Sequence, residues 1–357
     1  MKKIITQVVA LDLSDKSAEV CILDLDISSP RKEELNVSTA RTDMEAFFDA
    51  LPPSRVVMEA GTHSPWLSRV AELSDHEVRV VDPRRLKMIT ENARKSDKVD
   101  AELLARMGRI DDVDLMRSVD HRSERLHADY TYVCARDKLV QCRTMLINFA
   151  RGIVKSFGGR LPSNVSTESF ATRADVLEAI PEIVRAALQP LMWAIATLTQ
   201  YIKEYDKMIE RVLETSYAEE NQCLRQIKGV GALTALSFIC VVQSPERFDS
   251  SVAVGSYVGL SPGRKQSGQS DPKRGITKQG DALLRCQLTR AANYILNFGP
   301  DSDIKRHGQK LIDRGKPKNV AICAMARKIA VVMHRLWATH GVYEPLYLTN
   351  KRQKMTA

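Results

Sequence analysis

The stretch Gln7-Val8-Val9-Ala10-Leu11-Asp12-Leu13 is a short apolar run with an acid near its end, and it reads as a β-strand. Outward from it, Ala18–Leu25 reads as a second strand and the region of Leu35–Thr39 as a third. Asp43–Leu51 is an amphipathic helix closed by Pro52-Pro53. Arg55-Val56-Val57-Met58-Glu59 is again a strand that ends on an acid, Pro65–Leu73 a helix and Glu77–Val81 a strand. Pro83 opens a helix, as proline at a first helical position can. Ser96 is an N-cap for a helix over Asp97–Ile110.

Three strands, helix, strand, helix, strand, helix is the order of a ribonuclease-H-like α/β domain, expected over residues 1–118. In such a sheet the first and fourth strands lie side by side at the centre and the last helix crosses their ends. From about His121 the character changes to helix with a narrow apolar seam. Leu139, Cys142, Leu146, Phe149 and Ile153 are spaced 3, 4, 3, 4, and Leu191, Ile195, Leu198, Ile202, Tyr205, Ile209 and Val212 continue that rhythm over a longer run. Sustained a/d spacing is the pattern of a coiled coil, so residues 119–218 are expected to form a helical dimerisation region, with Gly158–Thr172 as a loop. Two helices packing inside one monomer would leave the same pattern. Residues 219–345 read as a compact helical domain ending in a long helix, Asn319–Thr339, and residues 346–357 as a basic, frayed tail. The fold class is therefore α/β plus all-α.

The 357 residues exceed one ordinary core, and 44% apolar content supports buried cores rather than global disorder. A formal charge of +9 suits a polyanionic partner, nucleic acid or an anionic membrane surface. No stretch approaches the length of an apolar membrane span, and the run after Met1-Lys2-Lys3 ends in Asp12, Asp15 and Lys16, unlike a signal peptide. The seven cysteines are scattered and form no CxxC, which points to mostly buried thiols in a reducing cytoplasm.

Asp12 and Glu59 sit where apolar strands lead into loops, and Asp97 and Asp100 share one face of a helix. Each alone has an ordinary reading: a turn residue, a loop residue, a first-turn helix charge, a surface acid. Together they could converge on one or two divalent ions, and hard carboxylate oxygens suit Mg²⁺ or Mn²⁺. Lys95 and Lys98 flank the last two acids and could hold phosphates while the acids hold metal.

Ile227-Lys228-Gly229-Val230-Gly231 precedes the apolar helix Ala232–Val242 and resembles a helix-hairpin-helix turn, whose glycine amides can approach a phosphate; a ligand-free helix–helix turn would look the same. Pro262–Arg285 carries six Lys/Arg against two Asp, among them Arg264, Lys265, Lys273, Arg274 and Lys278. Lys305–Arg335 carries nine Lys/Arg against one Asp, including Arg327 and Lys328, on a helix with an apolar opposite side. Such density is a solvated face or a phosphate-tracking surface. Ser267 lies in the first of these basic stretches and could attack a phosphodiester if activated, but on residue chemistry it is no better than Ser270 or a plain turn serine.

Taken together, Leu11-Asp12, Met58-Glu59-Ala60, Ser96-Asp97-Lys98-Val99-Asp100-Ala101, Ile227-Lys228-Gly229-Val230-Gly231, Tyr257-Val258-Gly259-Leu260-Ser261-Pro262, Gln266-Ser267-Gly268 and Gly275-Ile276-Thr277-Lys278-Gln279-Gly280-Asp281 resemble the DEDD-type insertion-sequence transposases, the group commonly called the IS one-ten family. The resemblance spans residues 8 to 340. It implies a RuvC-like N-terminal domain, a coiled-coil insertion and a C-terminal transposase domain. It implies that Asp12, Glu59, Asp97 and Asp100 ligate the metal, and that Ser267 rather than Ser270 attaches to DNA. It further implies double-stranded DNA partners (element ends and target), a structured guide RNA in some members, and dimers that pair into a tetramer. The chain departs from many relatives after Glu59, with Ala60-Gly61-Thr62-His63-Ser64-Pro65-Trp66 where Ala-Thr-Gly and a nearby tyrosine are common.

Competing readings use the same residues differently. A junction-resolving nuclease would use the four acids with water and leave Ser267 dispensable. A non-catalytic nucleic-acid-binding protein would tolerate loss of all four acids. An actin-like kinase would need a glycine-rich loop after Asp12, where the chain has Leu13-Ser14-Asp15-Lys16.

Overall fold

The computed structural model describes residues 4–26, 31–83, 96–110, 118–263, 266 and 274–356. The chain divides into two compact units, Met1–Glu124 and Arg125–Ala357.

The first unit is built from β1 (Gln7–Leu13), β2 (Ser17–Asp24), β3 (Lys32–Ser38), α1 (Arg41–Ala50), β4 (Arg55–Glu59), α2 (Ser64–Leu73), β5 (Glu77–Val81) and α3 (Asp97–Gly108). The five strands lie in the order β3-β2-β1-β4-β5, so the first and fourth strands are neighbours at the centre. β1, β2 and β3 pair antiparallel, while β4 runs parallel to β1 and β5 parallel to β4. The helix expected to open at Pro83 falls largely on residues 84–95, outside the described residues.

The pleat explains why β1 is apolar on both faces from Val8 to Leu11. Val9 and Leu11 pack with Met44, Phe48 and Leu67 of α1 and α2. Val8 and Ala10 pack on the opposite face with Ala101, Leu104 and Ala105 of α3. β3 starts three residues earlier than the apolar pattern indicated. It is an edge strand that exposes Lys32, Glu34, Asn36 and Ser38, and an open edge accommodates charges that a central strand would not.

α3 begins at Ser96, whose Oγ accepts from the Val99 N–H at 3.4 Å. Its other end is fixed to the sheet. A Cβ on Gly108 would lie 2.6 Å from Val8 Cγ1 and 2.7 Å from Val57 Cγ2. Arg55 Nη1 donates to the Gly108 carbonyl at 3.0 Å, and Arg55 Nε donates to Glu77 Oε1 at 2.9 Å.

The second unit opens with two long helices, α4 (Glu124–Ser156) and α6 (Glu182–Ser216), with the short α5 (Ala174–Glu178) between them. The expected seam is displaced. On α4, Cys142 and Phe149 are exposed and the buried stripe is Arg143, Ile147, Ala150 and Val154. On α6 the buried stripe is Leu188, Met192, Ile195, Thr199, Ile202, Ile209 and Leu213: the expected Ile195, Ile202 and Ile209 hold, while the alternate positions shift by one residue, from Leu191, Leu198 and Val212 to Met192, Thr199 and Leu213. The reason is the polar content of the true seam. Arg143 Nη1 donates to Thr199 Oγ1 at 3.3 Å, and Arg136 pairs with Asp206 at 2.8 Å. A search for apolar spacing passes over those positions. The two helices thus pack on one another within the chain, while Met145, Phe149, Trp193, Tyr201 and Met208 stay exposed.

The chain continues through α7 (Ala218–Leu224), α8 (Ala232–Val242), α9 (Ser251–Tyr257), α10 (Ala282–Phe298), α11 (Asp303–Asp313), α12 (Lys318–Thr339) and α13 (Tyr347–Thr356). Nearly every residue of α8 is buried, and α10 and α12 pack around it in one core that also takes Tyr130, Val133, Ile209 and Leu213 from the long helices. The tail expected to fray is helical. Its start is tied down by Asp303, which accepts from the Leu348 N–H and the Thr349 hydroxyl, both at 2.6 Å. Among the cysteines, Cys21 and Cys240 are buried, but Cys134 and Cys142 are exposed on the outer side of α4, so the expectation of mostly buried thiols does not hold. Among the described residues no helix is long and apolar enough to cross a membrane.

One feature of this unit bears directly on the basic stretch after Pro262. Gly263 N–H donates to the Gly275 carbonyl (2.8 Å), Thr277 N–H to Ser261 (2.9 Å) and Lys278 N–H to Gly259 (3.1 Å), forming a short stem. At its base the backbones nearly touch. A Cβ on Gly259 (φ +73°) would sit 1.9 Å from the Gln279 carbonyl oxygen, and one on Gly280 (φ +80°) 2.1 Å from that of Tyr257. Arg285 Nη1 donates to the Val258 and Gln279 carbonyls at 3.2 and 3.1 Å, closing the crossing.

Two measurements follow from these contacts. Gly108→Ala should destabilise the first unit by about 1–3 kcal/mol in denaturant unfolding, because the added methyl overpacks a closed contact. Gly259→Ala should lower the unfolding midpoint of the second unit by a comparable or larger amount, since strain and a backbone clash combine there. An unchanged midpoint in either variant would contradict the packing described.

Candidate functional site

Asp12 and Glu59 reach the site from adjacent parallel strands. Leu11 pairs with Met58, so the next step of the ladder brings Asp12 beside Glu59, and both are half-buried. By the pleat, Asp12 shares a face with Val8 and Ala10, and Glu59 shares one with Val57. That is the face covered by α3.

The direction of α3 follows from its anchored end. Gly108 packs on Val8 at the start of β1, so Ala105, Leu104 and Ala101 can pack on the sheet only by running back toward the strands' C-terminal ends. The eight residues from Gly108 to Asp100 rise about 12 Å. The four residues from Val8 to Asp12 advance about 13 Å. Asp100 therefore stands at the height of Asp12, while Asp97, almost a turn earlier, is exposed beside the exposed Lys98.

Asp100 is 7% exposed, and its Oδ1 is buried without a hydrogen-bond partner. The neighbouring acid behaves differently. Glu102 accepts from Lys32 (2.7 Å) and Arg106 (2.6 Å), and these two cations hold its carboxyl below the usual range, Lys32 contributing most. A buried carboxylate oxygen with no donor is costly unless a cation or proton meets it, so Asp100 fits a metal ligand in a way Glu102 does not. The acids share a height but not a closed cage: among the described residues no three His, Cys, Asp or Glu side chains gather at metal-holding geometry.

Spacing gave no sign of the support behind Glu59. Ser64, fully buried, accepts from the Gly61 N–H at 2.9 Å, and its hydroxyl lies 2.9 Å from both the Gly61 carbonyl and His121 Nε2. His121 comes 57 residues after Ser64, which is why no local motif reveals the pair. It fixes the turn Ala60–His63.

In the second unit, Gly229 adopts φ +102° and Gly231 is the N-cap of α8 without a side-chain cap, the turn expected from the sequence. Lys228, Arg274 and Lys278 are exposed. Arg327 is half-buried, with its side chain laid over Gly255 of α9, and Lys328 is half-buried as well. Lys95, Arg264, Lys265, Ser267, Ser270 and Lys273 lie outside the described residues.

Comparison with known proteins agrees in both halves. Residues 9–158 match a DEDD-type family model described as "Transposase", and residues 221–307 match one described as "Transposase IS116/IS110/IS902 family". The putative transposase y4pF/y4sB of Sinorhizobium fredii is 27% identical over 87% of this chain and 79% of its own length. The probable family 20 transposase of Pseudomonas aeruginosa is 28% identical over 85% of this chain and 90% of its own. The transposase for insertion sequence element IS1111A of Coxiella burnetii is 26% identical over 81% and 79% respectively. An acid-bearing sheet matched by the first model, a glycine-turn helical unit matched by the second, and relatives aligned across both place the chain in the IS110 family of DEDD-type insertion-sequence transposases.

Proposed function

We propose that this chain is the recombinase of an insertion sequence, cutting and rejoining DNA with a carboxylate site in a ribonuclease-H-like, RuvC-like first unit and with Ser267 as nucleophile. The observation that carries the reading is the meeting of Asp12 and Glu59 on adjacent strand ends at the height of Asp100, whose carboxylate oxygen is buried without a partner. Family membership supports DNA as the partner.

Asp12, Glu59, Asp97 and Asp100 would hold Mg²⁺ or Mn²⁺, which when bound supplies charge stabilisation to a phosphate in displacement. The chain's own groups do the rest. The Ser267 Oγ forms a bond to phosphorus as the bond from phosphorus to the leaving oxygen breaks. The serine proton is released and the leaving oxygen ends as a hydroxyl. The resulting phosphoserine diester conserves the energy of the broken bond, so a second hydroxyl can displace the serine without ATP. Lys95, Lys98 and the cations of the 262–285 stretch, Arg264, Lys265, Lys273, Arg274 and Lys278, would neutralise backbone phosphates, as would Lys228, Arg327 and Lys328.

The remaining assignments belong to the same proposal. Residues 119–218 form the dimerisation region, in which the exposed Met145, Phe149 and Trp193 supply the apolar face that the intrachain seam leaves uncovered. Residues 219–345 form the C-terminal transposase domain. Dimers pair into a tetramer around two DNAs, and an element-encoded structured RNA selects them.

Ser267→Ala should abolish a covalent protein–DNA adduct on a denaturing gel while DNA binding persists. Asp100→Asn should remove both adduct and strand cleavage while raising or preserving thermal stability, because it discharges a buried, unpartnered carboxylate. Cleavage by Ser267→Ala without an adduct would favour the water-using nuclease, and full recombination by that variant would remove the serine's role.

A further inference from the structure

The stem that closes at Gly259 and Gly280 is also held from a distant part of the chain. Tyr130, near the start of α4, is only 5% exposed, and its ring belongs to the core around α8. Its hydroxyl donates to Asp281 Oδ1 at 2.7 Å, across 151 positions of sequence. Asp281 directly follows Gly280 and is the N-cap of α10, where the same oxygen accepts from the Leu284 N–H at 2.9 Å. Arg285, one turn on, reaches back to the Val258 and Gln279 carbonyls at the base of the stem.

Neither the cap nor the core needs the Tyr130 hydroxyl. An N-cap aspartate satisfies an orphan amide by itself. Phenylalanine would fill the same space, and a buried phenol must find an acceptor or destabilise the fold. A second donor on the same oxygen does something further. It fixes which way the Asp281 carboxylate points, and with it the backbone of Asp281 and of Gly280 before it. The acceptor that the tyrosine finds is thus the first residue beyond the stem.

Tyr130 is itself tied down. Asp129, 4% exposed, accepts from the Tyr217 hydroxyl at 2.7 Å and from Arg125 Nε at 2.9 Å, and Arg125 Nη2 donates to Ser216 Oγ at 2.9 Å. Burial and the bond to Asp129 hold the Tyr217 phenol above its ordinary range, so it stays a donor at neutral pH. The first turns of α4 are therefore fastened to the end of α6, and Tyr130 holds Asp281 against a fixed wall.

We infer that Tyr130 is a positioning residue for strand transfer: through Asp281 its hydroxyl holds the base of the stem in one geometry, from which the segment above the stem departs. It touches no reacting atom. The inference rests on the reading of Ser267 as nucleophile, but the contact with the stem is measured apart from the chemistry.

The test uses the full chain. Tyr130→Phe keeps the ring and removes the hydroxyl. Amide hydrogen exchange, followed without DNA or metal, should quicken about tenfold at Thr277 and Lys278, whose N–H groups donate within the stem, and stay unchanged along α8. With saturating DNA and Mg²⁺ the covalent adduct should form about tenfold more slowly, while duplex affinity in chelator keeps its wild-type value. Asp281→Ser keeps a favoured N-cap but withdraws the oxygen from Tyr130, so it should reproduce Tyr130→Phe, and the double variant should be no worse than either alone. Asp281→Asn leaves an oxygen for both donors and should retain most of the stem's protection. Exchange in Tyr130→Phe that keeps the wild-type rate, or quickens equally in α8, would reduce the contact to general stability and overturn the proposal. A loosened stem with an undiminished rate of adduct formation would overturn it as well. An absent adduct in the wild type would count against Ser267 and not against the contact, which the exchange measurement decides alone.

Discussion

The contact of α3 with the sheet at Gly108 controls what the first unit can present. With no side chain at that position, the helix lies against Val8 and Val57, and Arg55 holds its last carbonyl. Everything N-terminal to that anchor is placed by helix geometry. The buried acid is eight residues back because eight residues of helix match four of strand. A longer side chain at Gly108 would lift the helix and carry Asp100 away from the strand ends. Precision at the acids is thus a property of a glycine at the far end of the helix.

Much of this was legible in the sequence because it rests on local periodicity. β1 and β4 carry apolar runs and β5 has valines around Arg79, and the limits of all three match the expectation residue for residue. Asp12 and Glu59 were visible as acids closing such runs. Ser96 was visible as a cap, and the glycine turn before α8 by its spacing. What escaped notice depends on pairings far apart in the chain. Ser64 with His121, Asp303 with the start of α13, and Arg285 across the base of the stem leave no periodic trace.

The displaced seam of α4 and α6 shows a different limit. Heptad spacing correctly marked helices that pair and half of the α6 face, Ile195, Ile202 and Ile209, but missed the face of α4 by one residue. Apolar residues occupy more than one face of each helix, and the face buried within the chain is the one that mixes Arg143 and Thr199 with Ile147 and Ile195. A polar contact inside a seam fixes register at some expense of stability. Outside the seam Met145, Phe149, Trp193, Tyr201 and Met208 are left exposed, more large hydrophobics than two helices with no further partner need. Basic residues divide in the same way: Arg285 is spent on the protein's own carbonyls, so cation density alone overstates the phosphate-facing surface.

The stem closed by Gly259 and Gly280 separates two demands that usually compete. Once the ends of a loop are pinned together, doubling its length costs only about 0.6 kcal/mol in closure entropy. The fold below the stem is therefore nearly indifferent to how many residues lie above it. The glycines beneath the crossing therefore answer to the fold, while the residues above it, the proposed nucleophile Ser267 among them, can answer to chemistry alone.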